Sequence, residues 1–172
     1  MKYHTLILAV ALATAATLSP AAGAATGEVQ WTRWDAGLKS ASASNRPILV
    51  DVYTDWCGWC RRMDRDVYSR DDVRQYLSRH FVTVRLNAES PSAASYAAHR
   101  YTESSLAARF RVSGFPTTIF LKPNGDHLVN VPGYVPADRF LLLLQYIGDG
   151  QLERGVSFDD FVKKAAASPP GR

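Results

Sequence analysis

Cys57 and Cys60 are the only two cysteines in this 172-residue chain, and only Gly58-Trp59 separates them. Thiols spaced i, i+3 at the start of a helix lie one over the other. A dithiol and a disulfide can then interconvert with little backbone movement. A bridge closing so short a loop removes little chain entropy and stabilises a fold weakly. The pair is therefore badly placed as a staple and well placed for thiol–disulfide exchange. Other uses of Cys-x-x-Cys need partners this chain does not supply. Structural zinc needs two more ligands, and His80, His99 and His127 stand apart. Haem attachment needs His directly after the second cysteine, where this chain has Arg61. No metal and no cofactor is expected.

Further features accompany this pair in the sequence. Cys57 follows an apolar run, Ile48 to Tyr53, and precedes a segment that turns helical from Gly58. Free N–H groups and the helix dipole favour an anion at that position, which lowers a thiol pKa. Cys57 is thus expected to be the exposed attacking sulfur and Cys60 the resolving one. Asp51 interrupts the apolar run, on the same strand face as Tyr53. Two readings fit it: a buried proton carrier with a raised pKa, or a carboxylate that caps a loop or pairs with an Arg. Pro116, in Gly114-Phe115-Pro116-Thr117, stands where a strand begins. It is either an ordinary strand-start proline or a cis one. Trp56, Trp59, Phe115 and Tyr134 form either a binding patch or core.

The elements that must position these residues follow from periodicity. Trp31 to about Ser44 is expected to be helical, with Trp34, Leu38 and Ala41 on one face. Ile48–Tyr53 has the continuous apolar character of a strand buried on both faces. Met63 and Val67, then Val73, Tyr76 and Leu77, mark helical stretches, and Phe81 to Leu86 reads as a second strand. Good helix formers in Ala93–Arg100 predict a helical insertion near 90–105. A short helical turn at 106–110 follows it. Thr117–Leu121 and His127–Val131 flank Pro123-Asn124-Gly125-Asp126 as a hairpin. Helices are expected from Pro136 to Ile147 and from Ser157 to about Ala166. This order predicts an α/β fold with a mixed central sheet and helices on both faces. The crossover between the first two strands is expected to be right-handed.

Residues 1–25 have the pattern of a secretory signal peptide: Lys2, an apolar Thr5–Leu18, and small residues up to Ala25. Cleavage would leave one domain, 26–167, with a disordered tail at 168–172. The expected location is periplasmic or secreted, without stable membrane insertion after cleavage. The chain is 47% hydrophobic and 21% charged, with a formal net charge of +4. That composition suits one ordinary core. The arginines are scattered, without the clustered basic face that nucleic-acid binding requires.

Asp51-Val52-Tyr53-Thr54-Asp55-Trp56-Cys57-Gly58-Trp59-Cys60, Gly114-Phe115-Pro116-Thr117 and Gly133 occur in the order found in the thioredoxin superfamily. The chain resembles that superfamily over roughly residues 45–147. The resemblance implies a thioredoxin-like fold, Cys57 and Cys60 as the redox pair, Asp51 as a buried proton carrier and a cis bond before Pro116. It further implies that the Phe115 backbone pairs with a substrate chain, with Trp56 and Trp59 shaping the docking surface. Gly58-Trp59 departs from the Gly-Pro of thioredoxins proper. The Asp55-Trp56-Cys57 context is most similar to exported thioredoxin-like reductases. The implied function is reduction of disulfides in exported proteins by a monomer recharged by a membrane or periplasmic thiol partner. Disulfide oxidase or isomerase activity is the alternative, and a non-enzymatic chaperone or docking module a third.

Overall fold

Apolar, β-branched Ile48–Tyr53 forms β1, a strand with every residue but the last buried. The computed structural model describes residues 27–167. The expected leader at 1–25 and the tail at 168–172 lie outside the described residues. Around β1 (Ile48–Tyr53) the chain runs through α1 (Trp34–Ser44), α2 (Gly58–Met63), a π-helical turn (Asp64–Tyr68), α3 (Asp71–His80), β2 (Val82–Asn87), β3 (Ala93–Tyr96), β4 (His99–Thr102), α4 (Glu103–Arg109), β5 (Thr117–Leu121), β6 (His127–Pro132), α5 (Ala137–Gly148) and α6 (Phe158–Ala167). The main sheet has the order β2-β1-β5-β6. β1 pairs with β2 in parallel and with β5 antiparallel. The expected mixed sheet is present.

Alternation along β1 separates two cores. Ile48, Val50 and Val52 point into one cluster with Trp34, Leu106 and Phe110, under α1 and α4. Leu49 points into the other with Met63, Val67, Leu77, Phe120 and Phe140, under α2, α3 and α5. Asp51 and Tyr53 share the Leu49 face by the period-two rule. Asp51 therefore lies under the helices that follow the cysteines.

Two elements differ from the sequence-based expectation. Residues 31–33 do not begin α1 but run extended beside β2. The Thr32 N–H donates to Thr83 O at 2.9 Å, and the Arg85 N–H donates to Thr32 O at 3.1 Å. The sheet edge satisfies these backbone groups better than a helix end would. The second correction concerns the insertion near 90–105, which is a hairpin, β3–β4, followed by α4. Alanine propensity is overridden here by packing. Tyr96 lies against Trp34 and Phe110, with ring centroids 5.8 and 4.9 Å apart. The Trp34 indole N–H donates to Ser95 O at 2.8 Å, and Asp35 accepts the Ser95 N–H at 2.9 Å. Ala97 and Ala98 take positive φ, 48° and 63°, to close the turn.

Gly37 allows α1 to approach this edge closely. It is buried in α1, and a Cβ there would overlap Val84 Cγ2. Gly37→Ala should lower stability by about 1–3 kcal/mol through overpacking, despite alanine's better helix propensity. Urea denaturation measures it. An unchanged midpoint would show that α1 has room to stand off the sheet.

Candidate functional site

The strand-to-helix elbow after β1 carries the cysteines. Thr54 O accepts the Cys57 N–H at 3.1 Å, and Cys57 is the extended N-cap residue of α2. Cys57 and Cys60 are joined as a disulfide, with Cα atoms 5.3 Å apart. The Cys60 N–H donates to Cys57 Sγ at 3.0 Å. The sulfur thus sits where the sequence placed an anion, at the free amides of a helix start. One expectation is corrected: Cys57 is only 3% exposed, against 5% for Cys60. In the bridged state Cys57 Sγ folds back over the first turn of α2, so neither sulfur stands out into solvent.

What does stand out is aromatic. Among the described residues, Trp56 and Trp59 are the exposed large hydrophobic ones, at 65% and 54%. Each leans on a second ring. Trp56 meets Phe115 edge-on at 5.9 Å, and Trp59 meets Tyr134 at 5.6 Å. Glu89 accepts the Trp56 indole N–H at 2.9 Å. The Arg62 guanidinium lies over both Trp59 and Tyr134, at 5.2 and 5.3 Å. Trp56 thus stands just before the bridge and Trp59 inside its loop, each supported by a second ring.

The Phe115–Pro116 peptide is cis. β5 begins directly after it, and Thr117 is the register partner of Val52, so the Phe115-Pro116 loop lies next to the end of β1. The Gly133 N–H donates to Pro116 O at 2.8 Å. Gly133 has φ 85°, a conformation in which a side chain is strained. Gly133 thus ties the end of β6 to the proline loop.

Beneath the elbow, Asp51 is 1% exposed. Its register partner on β2 is Arg85, which donates through Nε to Asp51 Oδ2 at 3.1 Å. The same guanidinium also bonds Asp64. The Tyr68 hydroxyl donates to Asp51 Oδ1 at 3.4 Å. Burial pushes the Asp51 carboxyl up to about 6; Arg85 opposes the shift and Asp64 adds to it. Burial, then the Asp51 charge, likewise raise Tyr68. Asp51 thus pairs with an Arg, the second of the two readings of its sequence position, and its carboxyl is buried and raised.

All the residues singled out in the sequence gather here: Cys57, Cys60, Asp51, Trp56, Trp59, Phe115, Pro116 and Gly133. Sequence reasoning missed Arg85, Asp64, Tyr68 and Glu89. Arg85 did leave a signal, as the one charge in the apolar run Phe81–Leu86. A charge inside each of two adjacent buried strands demands pairing.

The carboxyl's shift has a consequence for stability. Its folded pKa of about 6 lies above the ordinary 3.8, so the folded state holds this proton more tightly than the unfolded chain does. That stabilisation is complete below about pH 3.8 and is lost as pH rises through about 6. At about 1.4 kcal/mol per pKa unit it amounts to about 2–3 kcal/mol. Asp51→Asn should flatten the stability profile between pH 4 and 8 by this amount, measured by denaturant unfolding of the oxidised protein. Equal pH slopes in both proteins would contradict a raised Asp51.

Comparison with known proteins agrees with this geometry. The thioredoxin-like domain family matches residues 34–148. The thiol:disulfide interchange protein DsbD of Yersinia pestis (strain Pestoides F) is 32% identical over 107 residues, which cover 61% of this chain and 16% of that protein. The chain thus spans about a sixth of the length of the curated relatives it matches. Among solved structures, a thioredoxin from Thermus thermophilus superposes with TM-score 0.60 at 26% identity, covering 70% of this chain and 88% of that one. A thioredoxin-fold protein from Helicobacter pylori gives TM-score 0.63 at 23% identity, covering 72% and 82%, and shares the fold. With a bridged Cys-x-x-Cys at the elbow and a match over most of its length, the chain belongs to the thioredoxin-like family of thiol–disulfide oxidoreductases.

Proposed function

We propose that this protein reduces disulfides in exported proteins, with Cys57 as nucleophile, Cys60 as resolving thiol and Asp51 as proton carrier. The observation that carries the reading is the Cys57 Sγ–Cys60 N–H contact at 3.0 Å. The amide that meets the bridged sulfur can equally donate to a Cys57 thiolate, the form that attacks. The thiolate attacks one sulfur of a substrate disulfide and forms a Cys57–substrate mixed disulfide. The first substrate sulfur leaves as a thiolate and takes a proton from water. Cys60 then gives its proton to the Asp51 carboxylate and attacks Cys57 Sγ. The mixed disulfide breaks, the second substrate sulfur leaves, and Asp51 returns the proton to it. Two electrons have passed to the substrate, and Cys57–Cys60 is bridged again.

Geometry supports the remaining roles. An extended substrate strand would pair with the Phe115 backbone at the start of β5. Trp56 and Trp59 would bound it on either side, each held by a second ring. Pro116, tied to Gly133, would set the depth of the groove. Recharging calls for a thiol partner, in keeping with the Yersinia relative, a thiol:disulfide interchange protein. The signal-like composition of residues 1–25 supports an exported location, periplasmic or secreted. No helix among the described residues is long and apolar enough to cross a membrane. Residues 26–167 would then act as one domain.

Equilibration of the Cys57–Cys60 pair with glutathione tests the direction. A reductase should give a potential of about −270 to −200 mV. A value of about −120 mV, in the range of strong oxidants, would replace the reductase with a disulfide-forming oxidase. Insulin reduction should fall to background in Cys57→Ser. Cys60→Ser should retain the first attack and accumulate the mixed disulfide, visible by mass spectrometry. Reduction that survives loss of both cysteines would refute the redox reading and favour a docking module.

A further inference from the structure

The two hydrogen bonds that hold Asp51 come from separate elements: Arg85 from β2, at Oδ2, and Tyr68 from the π-helical turn, at Oδ1. One side chain touches both donors. The Arg85 guanidinium lies 4.8 Å from the centroid of the Trp31 ring. The Tyr68 ring meets the same indole edge-on, with centroids 5.0 Å apart. We infer that Trp31 is a positioning residue of the redox site, seating both groups that hydrogen-bond Asp51.

The backbone around Trp31 is anchored for this. On one side, Gln30 O accepts the Thr83 hydroxyl at 2.7 Å. On the other, Thr32 donates its N–H and its hydroxyl to Thr83 O, at 2.9 and 2.8 Å. Thr32 O accepts the N–H of Arg85 itself at 3.1 Å. The ribbon is thus tied to the residue whose side chain its indole covers. Trp31 also lies outside residues 34–148, the stretch matched by the family. The family's domain therefore supplies the acid and its donors, and the preceding segment supplies the piece that clamps them.

Burial adds a second role. The Arg85 side chain is 29% exposed, and Tyr53 covers its other side at 5.2 Å. Trp31, Tyr53 and Arg85 line a cavity of about 370 Å³ together with Asn87, Ser90 and Glu103. The guanidinium, with both rings near it, lines this cavity and bonds the Asp51 carboxyl. The ionisable groups facing Asp51 are Arg85 from β2, Asp64 and Tyr68 from the π-helical turn, and Tyr53 on its own strand. Trp31 is uncharged, so it acts on Asp51 through burial and through the placement of Arg85 and Tyr68.

The inference rests on Asp51 as the proton carrier, and the experiment separates the two. The rate of oxidation of the reduced protein by a small disulfide is measured from pH 4 to 9. Trp31→Ala should move the Asp51-dependent midpoint by about half a pH unit or more, and Trp31→Phe should restore it. In an Asp51→Asn background, Trp31→Ala should move nothing. Should Trp31→Ala fail to fold by circular dichroism, Trp31→Leu, which keeps apolar bulk without a ring, carries the same expectation. An unmoved midpoint, or an equal shift in the Asp51→Asn background, overturns the role of Trp31. A wild-type profile in Asp51→Asn alone refutes the proton carrier instead.

Discussion

Asp51 and Arg85 face each other across the parallel β1–β2 pair, and the site is arranged around what that pair requires. A carboxylate removed from water needs a partner or a proton. Arg85 supplies a partner but not a full one, because its guanidinium also serves Asp64. Tyr68 adds a hydrogen bond from the opposite side. Burial outweighs these stabilising contacts, and the carboxyl stays easy to protonate. The register of two strands, set by their apolar alternation, thereby decides the acid–base character of a group under the redox bridge.

The same sheet places the other parts. β1 delivers the elbow that carries Cys57 and Cys60, and β5 delivers the Phe115-Pro116 loop beside it. β6 contributes Gly133, which ties that loop from behind. The exposed tryptophans stand on the helix side of the elbow, each braced by a ring from a more distant segment. Asp51 and Tyr68 are buried, while Trp56 and Trp59 are exposed. The bridge sits at the boundary between the two.

Much of this was legible in the sequence because it rests on local signals. Ile48–Tyr53 is a strand because it is apolar and β-branched, and the helix after Gly58 begins where the apolar period changes. The cysteines, Asp51, Pro116 and Gly133 stand out by residue type and order. What was not legible depends on contacts between distant residues. The hairpin at 93–102 has a helical composition, and only Trp34 and Phe110, far away in sequence, make Tyr96 worth more in a strand. Trp31 to Arg33 continue a helical pattern, yet the open edge of β2 captures them. The pairing of Arg85 with Asp51 needs the strand register, which no single segment contains. The low exposure of Cys57 follows from the bridge itself.

The π-helical turn from Asp64 to Tyr68 has its own implication. Its defining bond, from the Ser69 N–H to Asp64 O at 3.1 Å, closes a wider ring than an α-helical turn does. It amounts to one extra residue inserted into an otherwise regular helix. A helix without it would advance by about 100° less at every later position. Tyr68 would then leave the face that meets Asp51, while Asp64, before the extra residue, would keep its place. The number of residues between the cysteines and α3 therefore decides whether Tyr68 can reach Asp51. A chain one residue shorter here would lose the Tyr68 hydrogen bond and hold Asp51 through Arg85 alone.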